Sequence, residues 1–158
     1  MSLQPPVGSD HQLARLLQIG VVLEEVVEAR AAKHSESEQI GEEVHALLDE
    51  AVAESETHRE RLDALVDELD ADTIPFDEIQ TLVEQQYEAD QDFDGVLYDQ
   101  LCNEETAYKF YDDLIGAIER SDAEFSIDRE QLLAVLREIR AEEEEGVEEV
   151  TTLMERRE

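Results

Sequence analysis

The sequence predicts an all-α protein in which four long helices form two antiparallel hairpins joined by a crossover that contains a short helix. Apolar residues recur at helical spacing along four long segments, and no segment shows the sustained alternation of a strand. Turn signals interrupt this pattern three times, and the middle connection is much longer than the other two. Two short connections and one long one favour a pair of hairpins over a simple up-and-down bundle.

The first helix is predicted to begin after Ser9, because Gln12 completes a capping-box pattern with it. The apolar stripe of this helix consists of Leu13, Leu16, Leu17, Gly20, Val21 and Val27. The end of the helix is ambiguous. Ser35 with Glu38 is typical of a helix start, whereas Gly41 is typical of a helix stop.

The second helix has one apolar face, and it is predicted to end where the segment 70–75 interrupts the pattern. That face carries Val44, Leu47, Ala51, His58, Leu62, Leu65 and Leu69. A short helix is expected after Pro75, and residues 91–95 form a weak hinge before the third helix. The short helix would lie along the bundle as part of the crossover.

The third and fourth helices form the second hairpin, and the segment 121–126 is the predicted turn between them. The inner face of the third helix carries Leu97, Leu101, Ala107, Tyr108, Tyr111, Leu114 and Ile118. The inner face of the fourth helix carries Leu132, Val135, Leu136, Ile139, Val150 and Leu153.

Length and composition favour one helical bundle domain, residues 10–158, preceded by a flexible tail at residues 1–9. Of the 158 residues, 41% are apolar and 35% are charged, which is enough apolar material for a continuous core. No apolar run approaches the roughly 18 residues of a membrane-spanning helix, so a membrane is not an expected partner. Because the N-terminus also lacks a basic-then-apolar leader pattern, a cytoplasmic location is expected.

The net charge of −32 is extreme, and Lys33 and Lys109 are the only lysines. Such a charge repels nucleic acid and anionic membrane surfaces, so neither is an expected partner. The acids are spread along every segment and are not clustered in a tail. This spread and the scarcity of lysine favour a halophilic protein, whose self-repulsion is screened by salt, and resemble the composition of proteins from salt-loving archaea. An acidic surface for a basic partner is the alternative.

Both halves of the chain carry the same sparse pattern of acids. Glu24 and Glu25 in the first helix are echoed by Glu104 and Glu105 in the third, 80 residues later. The run 53–60, which contains His58, is echoed by the run 141–148 in the fourth helix. An acid in one helix of a hairpin and a carboxylate/histidine turn in the other, repeated once, is how a four-helix bundle builds a carboxylate-bridged metal site.

These acids are predicted to lie at one level of the bundle and to point inward. Two residues of an antiparallel hairpin face each other when they lie equally far from the turn, which pairs Glu104 with Glu143 and Glu24 with Ser55. At about 100° per residue, His58 lies at the centre of the apolar stripe of its helix. Several buried carboxylates at one level are costly unless a cation or protons neutralise them, so this level is a candidate metal site.

This pattern resembles the ferritin-like superfamily, and rubrerythrin-type domains in particular, over nearly the whole chain from Asp10 onward. That family places a Glu on the first helix, Glu-x-x-His on the second, a Glu on the third and Glu-x-x-His on the fourth. Six such side chains bind two iron or manganese ions, and the carboxylates of the second and fourth helices bridge them. The resemblance implies a ferritin-like four-helix bundle with a metal site in its middle.

Four of the six ligand positions of the family are filled in this chain, by Glu24, His58, Glu104 and Glu143. The second-helix Glu position holds Ser55, although Glu54 is adjacent to it. The fourth-helix His position holds Gly146. Glu28, one turn after the first-helix ligand, and Glu54 are reserve ligands. With these degenerate motifs, the resemblance implies one metal ion or a weakened pair in place of a standard di-iron centre.

If iron or manganese binds, the resemblance implies metal oxidation, sequestration or peroxide chemistry. The chain lacks the cysteine-rich module of full rubrerythrins, so redox turnover would need an external electron donor. The superfamily also implies a homodimer. Tyr108 and Tyr111 flank Glu104 where the superfamily often places tyrosines beside the ligands, and filling of the core is the alternative for both. The competing interpretation of the whole chain is a metal-free degenerate bundle with a structural or protein-interaction role.

The remaining histidines and the single cysteine are weaker candidates. His45 is expected on the far side of the second helix from His58. His11 and His34 lie near helix ends, where solvated roles are expected. Cys102 cannot form an intramolecular disulfide, and its position on an apolar helix face predicts a small core residue and not a catalytic thiol.

Overall fold

In the computed structural model, the described residues are 6–36, 40–71, 78, 81 and 95–156. They form four long helices, α1 Asp10–Ser35, α2 Glu42–Asp67, α3 Val96–Glu119 and α4 Arg129–Arg156. No strand occurs within these ranges, so the all-α prediction is confirmed. Within the same ranges no helix has an apolar stretch that could cross a bilayer. The short helix predicted after Pro75 falls on residues that, apart from Glu78 and Thr81, lie outside the described part.

The local sequence explains both ends of α1. Ser9 is the N-cap, and its hydroxyl accepts a hydrogen bond from the backbone N–H of Gln12 at 3.2 Å, as the capping-box pattern predicts. The Gln12 side chain in turn accepts from the backbone N–H of Gly8 at 2.6 Å. Ser35 is the last residue of α1, and Gly41 is the N-cap of α2. Gly41 therefore opens the second helix instead of ending the first, because its backbone is extended.

Val7 anchors the chain ahead of α1. Its side chain is fully buried in the main apolar cluster. Its N–H donates to the carbonyl of Ala117 at 3.2 Å, and its carbonyl accepts from the hydroxyl of Ser121. The tail predicted at residues 1–9 is therefore packed at Val7 against the end of α3, while residues 1–5 lie outside the described part.

The four helices pack as two antiparallel hairpins. α1 packs chiefly against α2, and α3 packs chiefly against α4, while the contacts between the hairpins are fewer. Ser35, at the end of α1, donates to Asp49 in the first turns of α2 at 2.6 Å. Further along α2, Arg59 donates to Glu25 in the middle of α1. The second hairpin is closed by the short segment 120–128, and the pairing of hairpins predicted from the sequence is confirmed.

The contacts between the hairpins are antiparallel as well. Arg30 near the end of α1 lies 2.6 Å from Asp99 near the start of α3. Tyr111, further along α3, donates to Glu24 in the middle of α1 at 2.6 Å. Since α2 and α3 are each antiparallel to α1, these two helices run in the same direction.

A buried polar layer divides the apolar core in two. The larger cluster, on one side of the layer, includes Leu13, Leu17, Leu62, Ile115, Leu136 and Ile139. The smaller cluster, on the other side, consists of Ala31, Val44, Leu48, Ala51 and Leu153. The inward positions between them are taken by Glu24, His58, Glu104 and Glu143. The four acid and histidine positions thus lie at one level of the bundle, as their distances from the turns predict.

Three of the weaker candidates lie at the surface of the bundle. His45 is half exposed and lies 3.0 Å from Asp49, so its expected position away from the core is confirmed. His11 is exposed, as expected near a helix end. Cys102 is exposed as well, so the prediction of a core residue is wrong. The reason is that the next residue, Asn103, takes the inward position on this turn of α3.

A buried ion-pair cluster joins α1 to α3 away from the polar layer. The carboxylate of Asp99 is 4% exposed, and it lies 2.6 Å from Arg30 and 2.9 Å from Nε2 of His34. The expectation of a solvated His34 is therefore wrong, because α3 covers the end of α1 with Asp99. Removing the carboxylate of Asp99 from such a cluster costs more than removing a surface acid, because the contact it makes is shielded from solvent.

We expect Asp99→Asn to lower the free energy of unfolding by about 3 kcal/mol, because Arg30 loses its buried counter-charge. The matched control is Asp113→Asn on the same helix, whose partner Lys109 is 75% exposed. That change should cost no more than about 0.5 kcal/mol, as surface pairs do. Urea unfolding at fixed salt measures both values, and equal effects of the two substitutions would contradict the prediction.

Candidate metal centre

Four buried ionisable side chains meet in the middle of the bundle, one from each helix. They are Glu24 on α1, His58 on α2, Glu104 on α3 and Glu143 on α4, and none is more than 5% exposed. Each shares a helix face with core residues, so helical geometry turns it inward. The position of the layer therefore follows from the local pattern of each helix and from the antiparallel pairing of the helices.

The imidazole of His58 is the centre of this layer, and its two nitrogens face in opposite directions. Nδ1 lies 3.0 Å from Oε1 of Glu143 and 3.4 Å from Oε1 of Glu24. Nε2 lies 2.7 Å from Oε2 of Glu142 and 3.8 Å from Oε1 of Glu54. We call Glu24, His58 and Glu143 the inner group, and Glu54, His58 and Glu142 the outer group. In each group, one ligand atom per residue lies within 4.8 Å of the others.

Glu24 is held by a buried tyrosine and keeps one free oxygen. The hydroxyl of Tyr111 donates to Oε1 of Glu24 at 2.6 Å. Burial and the charge of Glu24 raise the pKa of Tyr111 well above its usual value, so the phenol remains a donor. Oε2 of Glu24 is buried and has no hydrogen-bond partner among the described residues. A buried carboxylate oxygen without a donor is costly unless a cation binds it.

Glu104 occupies the space beside Gly146. Gln100, one turn earlier on α3, donates to Oε1 of Glu104 at 2.8 Å. A Cβ atom added at Gly146 would lie 2.5 Å from Oε2 of Glu104, much closer than any real contact. The carboxylate of Glu104 therefore fills the position that the side chain of a histidine at 146 would need. The absence of a side chain at Gly146 is what allows the carboxylate of Glu104 to lie there.

Protons neutralise the layer when no cation is bound. Burial lowers the pKa of His58, but the hydrogen bonds of Glu143 and Glu24 outweigh it and raise that pKa to about 11. Burial and a hydrogen bond with Glu104 raise the pKa of Glu143 to about 11, against the opposing effect of His58. Burial also raises the pKa of Glu104. The raised pKa values of His58, Glu104 and Glu143 all favour retention of protons in this cluster at neutral pH.

The structure brings most of the candidate ligands together. Glu24, His58 and Glu143 form the inner group, and Glu104 joins it through its hydrogen bond to Glu143. Glu54 belongs to the outer group, where burial raises its pKa to about 7.

Glu28 and Tyr108 are placed elsewhere. Glu28 lies 3.3 Å from Arg59, which compensates its charge, and it is in neither group. Tyr108 lines a surface cavity between α3 and α4 together with Lys109 and Glu144, so it is not beside the ligands. Tyr111, in contrast, contacts Glu24 directly through its hydroxyl.

The sequence pattern did not predict two polar side chains that contact the site, Glu142 and Gln100. Glu142 lies about 60° from the centre of the α4 stripe, so the angular count places it outside, yet its long side chain reaches Nε2 of His58. Gln100 precedes Glu104 by one helical turn, and this i, i+4 spacing is the only signal that could have found it. Angular counts locate the Cα–Cβ direction, and they ignore the reach of a flexible side chain.

Comparisons of this chain with models of protein families, with curated proteins and with solved structures find no match. The site therefore has to be interpreted from its own geometry.

The retained protons make the stability of the metal-free protein depend on pH. The folded protein binds protons at His58 and Glu143 more tightly than the unfolded chain, so the free energy of unfolding falls as the pH rises. The share of His58 is complete below its ordinary pKa of 6.5 and is lost as the pH rises through about 11. The decline amounts to at most about 1.4 kcal/mol per pH unit for each retained proton.

Urea unfolding between about pH 7 and about pH 9 tests this dependence, because exposed carboxylates are already ionised there. We expect wild-type stability to decline over this window and His58→Gln to decline less steeply. A free energy of unfolding that rises with pH in metal-free wild type would contradict the assignment of bound protons.

Proposed function

We propose that this chain is a ferritin-like metal-binding protein that holds one divalent ion, iron or manganese, in the inner group. The observation that carries the proposal is Oε2 of Glu24, a fully buried carboxylate oxygen without a hydrogen-bond partner among the described residues. It belongs to a side chain that lies beside Nδ1 of His58 and Oε1 of Glu143. Two carboxylates and one imidazole are ligands that suit both iron(II) and manganese(II).

The helix arrangement supports the ferritin-like part of the proposal. Two antiparallel hairpins whose α2 and α3 run in the same direction need a connection that returns along the bundle, which is the ferritin-like topology. The crossover, with its short helix after Pro75, belongs to this proposal.

Packing beside Gly146 supports one ion in preference to two. The second metal position of the family needs a nitrogen ligand from the fourth helix, but Glu104 fills that space. The second-helix carboxylate of the family is replaced by Ser55, which is buried and offers only a hydroxyl. The remaining donor set fits a single ion at Glu24, His58 and Glu143.

The chain's own residues prepare the inner group for a cation. Tyr111 fixes the orientation of Glu24 through its hydrogen bond. Glu142 accepts from Nε2 of His58, which leaves Nδ1 available as the ligand atom. The burial of the inner group strengthens the electrostatic contacts within it. A bound iron ion would supply oxidation chemistry toward oxygen or peroxide, or the protein would sequester the ion; turnover would draw electrons from an external donor.

A metal-free structural bundle is the second candidate, and one observation favours it. The raised pKa values of His58 and Glu143 mean that protons alone neutralise much of the layer. Under this alternative the contacts between the imidazolium and its carboxylates fix the register in which the four helices pack. The two candidates differ in the metal content of the purified protein.

Metal content after reconstitution with ferrous iron, and separately with manganese, distinguishes them. We expect one ion per chain for wild type, and a loss of tight binding, by at least about 100-fold in Kd, for His58→Gln. The matched control is His45→Gln, which removes a half-exposed histidine of the same helix and should keep one ion. High salt is used throughout because the net charge is −32.

Each outcome of this measurement has a definite meaning. Circular dichroism first establishes that His58→Gln retains its helices, so that lost binding is not lost folding. Two ions per chain in wild type would overturn the single-ion site and recruit Glu54 as a further ligand. No ion under any condition would establish the metal-free bundle.

A further inference from the structure

A cleft between α2 and α4 leads from the surface to the polar layer. Its cavity has a volume of about 340 Å³ and is open to solvent. His58 and Gly146 form part of its lining, so it reaches the side of the imidazole that carries Nε2. Gly146 has no side chain to close the cleft at this depth.

Carboxylates make up most of the polar lining of this cleft. They are Glu50, Glu54, Glu142, Glu145 and Glu149. Neither lysine nor arginine is among the lining residues, although Arg61 approaches Glu142 at 3.9 Å from outside. Burial and the charges of Glu50, Glu145 and Glu104 raise the pKa of Glu149. Negative charge focused in a cleft concentrates cations and speeds their association.

His58 lies between the cleft and the inner group. Its Nε2 faces the outer group, and its Nδ1 faces the inner group. A neutral imidazole keeps a proton on one nitrogen, so only one of the two nitrogens binds a cation at a time. Binding in the outer group therefore requires the imidazole proton on Nδ1, and binding in the inner group, where the unpartnered Oε2 of Glu24 lies, requires it on Nε2.

We propose that this cleft is the entrance through which a divalent cation reaches the inner group, with Glu54, Glu142 and Nε2 of His58 as the entry site. The inference rests on the proposed metal binding of the inner group and adds the route and its first ligands. Passage from the outer to the inner group requires the ion to leave Nε2 and pass the ring, while Nδ1 gives its proton to Glu143 and Nε2 receives one from Glu142.

The opposite face of α4 offers a matched control. The cavity between α3 and α4 is lined by Glu105, Glu144 and Lys109, and it does not include a residue of the inner or outer group. Neutralising Glu105 and Glu144 changes the net charge by the same amount as neutralising Glu145 and Glu149. A comparison of these two pairs of substitutions therefore shows whether the position of the negative charge matters, because the total charge is the same in both.

The experiment measures the association rate of Mn²⁺ by rapid mixing with a chelating indicator. We expect Glu145→Gln/Glu149→Gln to slow association about tenfold and to weaken its dependence on salt, because the steering field is reduced. The control Glu105→Gln/Glu144→Gln should change the rate less than about twofold. Both doubles should reach the wild-type metal content at equilibrium, since neither removes a ligand.

The outcomes distinguish failure of this inference from failure of the proposed function. Metal binding with equal association rates in both double variants would overturn the entrance and leave the inner site intact. Absence of binding in wild type would overturn the proposed function itself. If Glu24→Gln keeps full binding while Glu54→Gln/Glu142→Gln loses it, the ion stays in the outer group, and the route inward is wrong.

Discussion

The contact between His58 and the buried carboxylates is the constraint on which the rest of the structure depends. Without a cation or retained protons, Glu24 and Glu143 would lie in the middle of the core as like charges at close range, which is costly. The imidazole of His58 is within contact distance of both carboxylates, since its Nδ1 lies 3.0 Å from Glu143 and 3.4 Å from Glu24. The same contacts join three helices at one level, between the two apolar clusters.

The layer is asymmetric although the sequence pattern that builds it is repeated. On the α2 side, His58 supplies a nitrogen and its partners converge on it. On the α4 side, Gly146 has no side chain. The carboxylate of Glu104 lies beside it and is hydrogen-bonded to Gln100 and Glu143. This asymmetry has two consequences. The inner group has a mixed nitrogen and oxygen donor set, and Gly146, which has no side chain, lines a cleft open toward Nε2 of His58.

Most of the few arginines lie between helices, where they pair with acids of a neighbouring helix. Most of the arginines form interhelical pairs, namely Arg30, Arg59, Arg61, Arg137, Arg140 and Arg156. Such pairs contribute little each on a surface, but they place positive charge between helices that would otherwise repel one another. Two of these pairs, of Arg61 and of Arg156, join α2 to α4, but neither arginine lines the cleft between these helices, whose lining keeps its acids. With a net charge of −32, the distribution of the few bases decides where a cation is attracted.

The sequence by itself determined the helices, their pairing and the level of the polar layer, because these follow from helical periodicity, caps and distances along the chain. It also singled out Glu24, His58, Glu104 and Glu143, since each interrupts an apolar stripe. Only the tertiary structure decided which atoms meet. The long side chain of Glu142 reaches His58, and Glu28 pairs with Arg59 instead of joining the inner group. The carboxylate of Glu104 packs beside Gly146. The reason is physical: periodicity fixes the direction of a Cβ atom, whereas contacts depend on the volumes and charges that neighbouring helices bring to the same space.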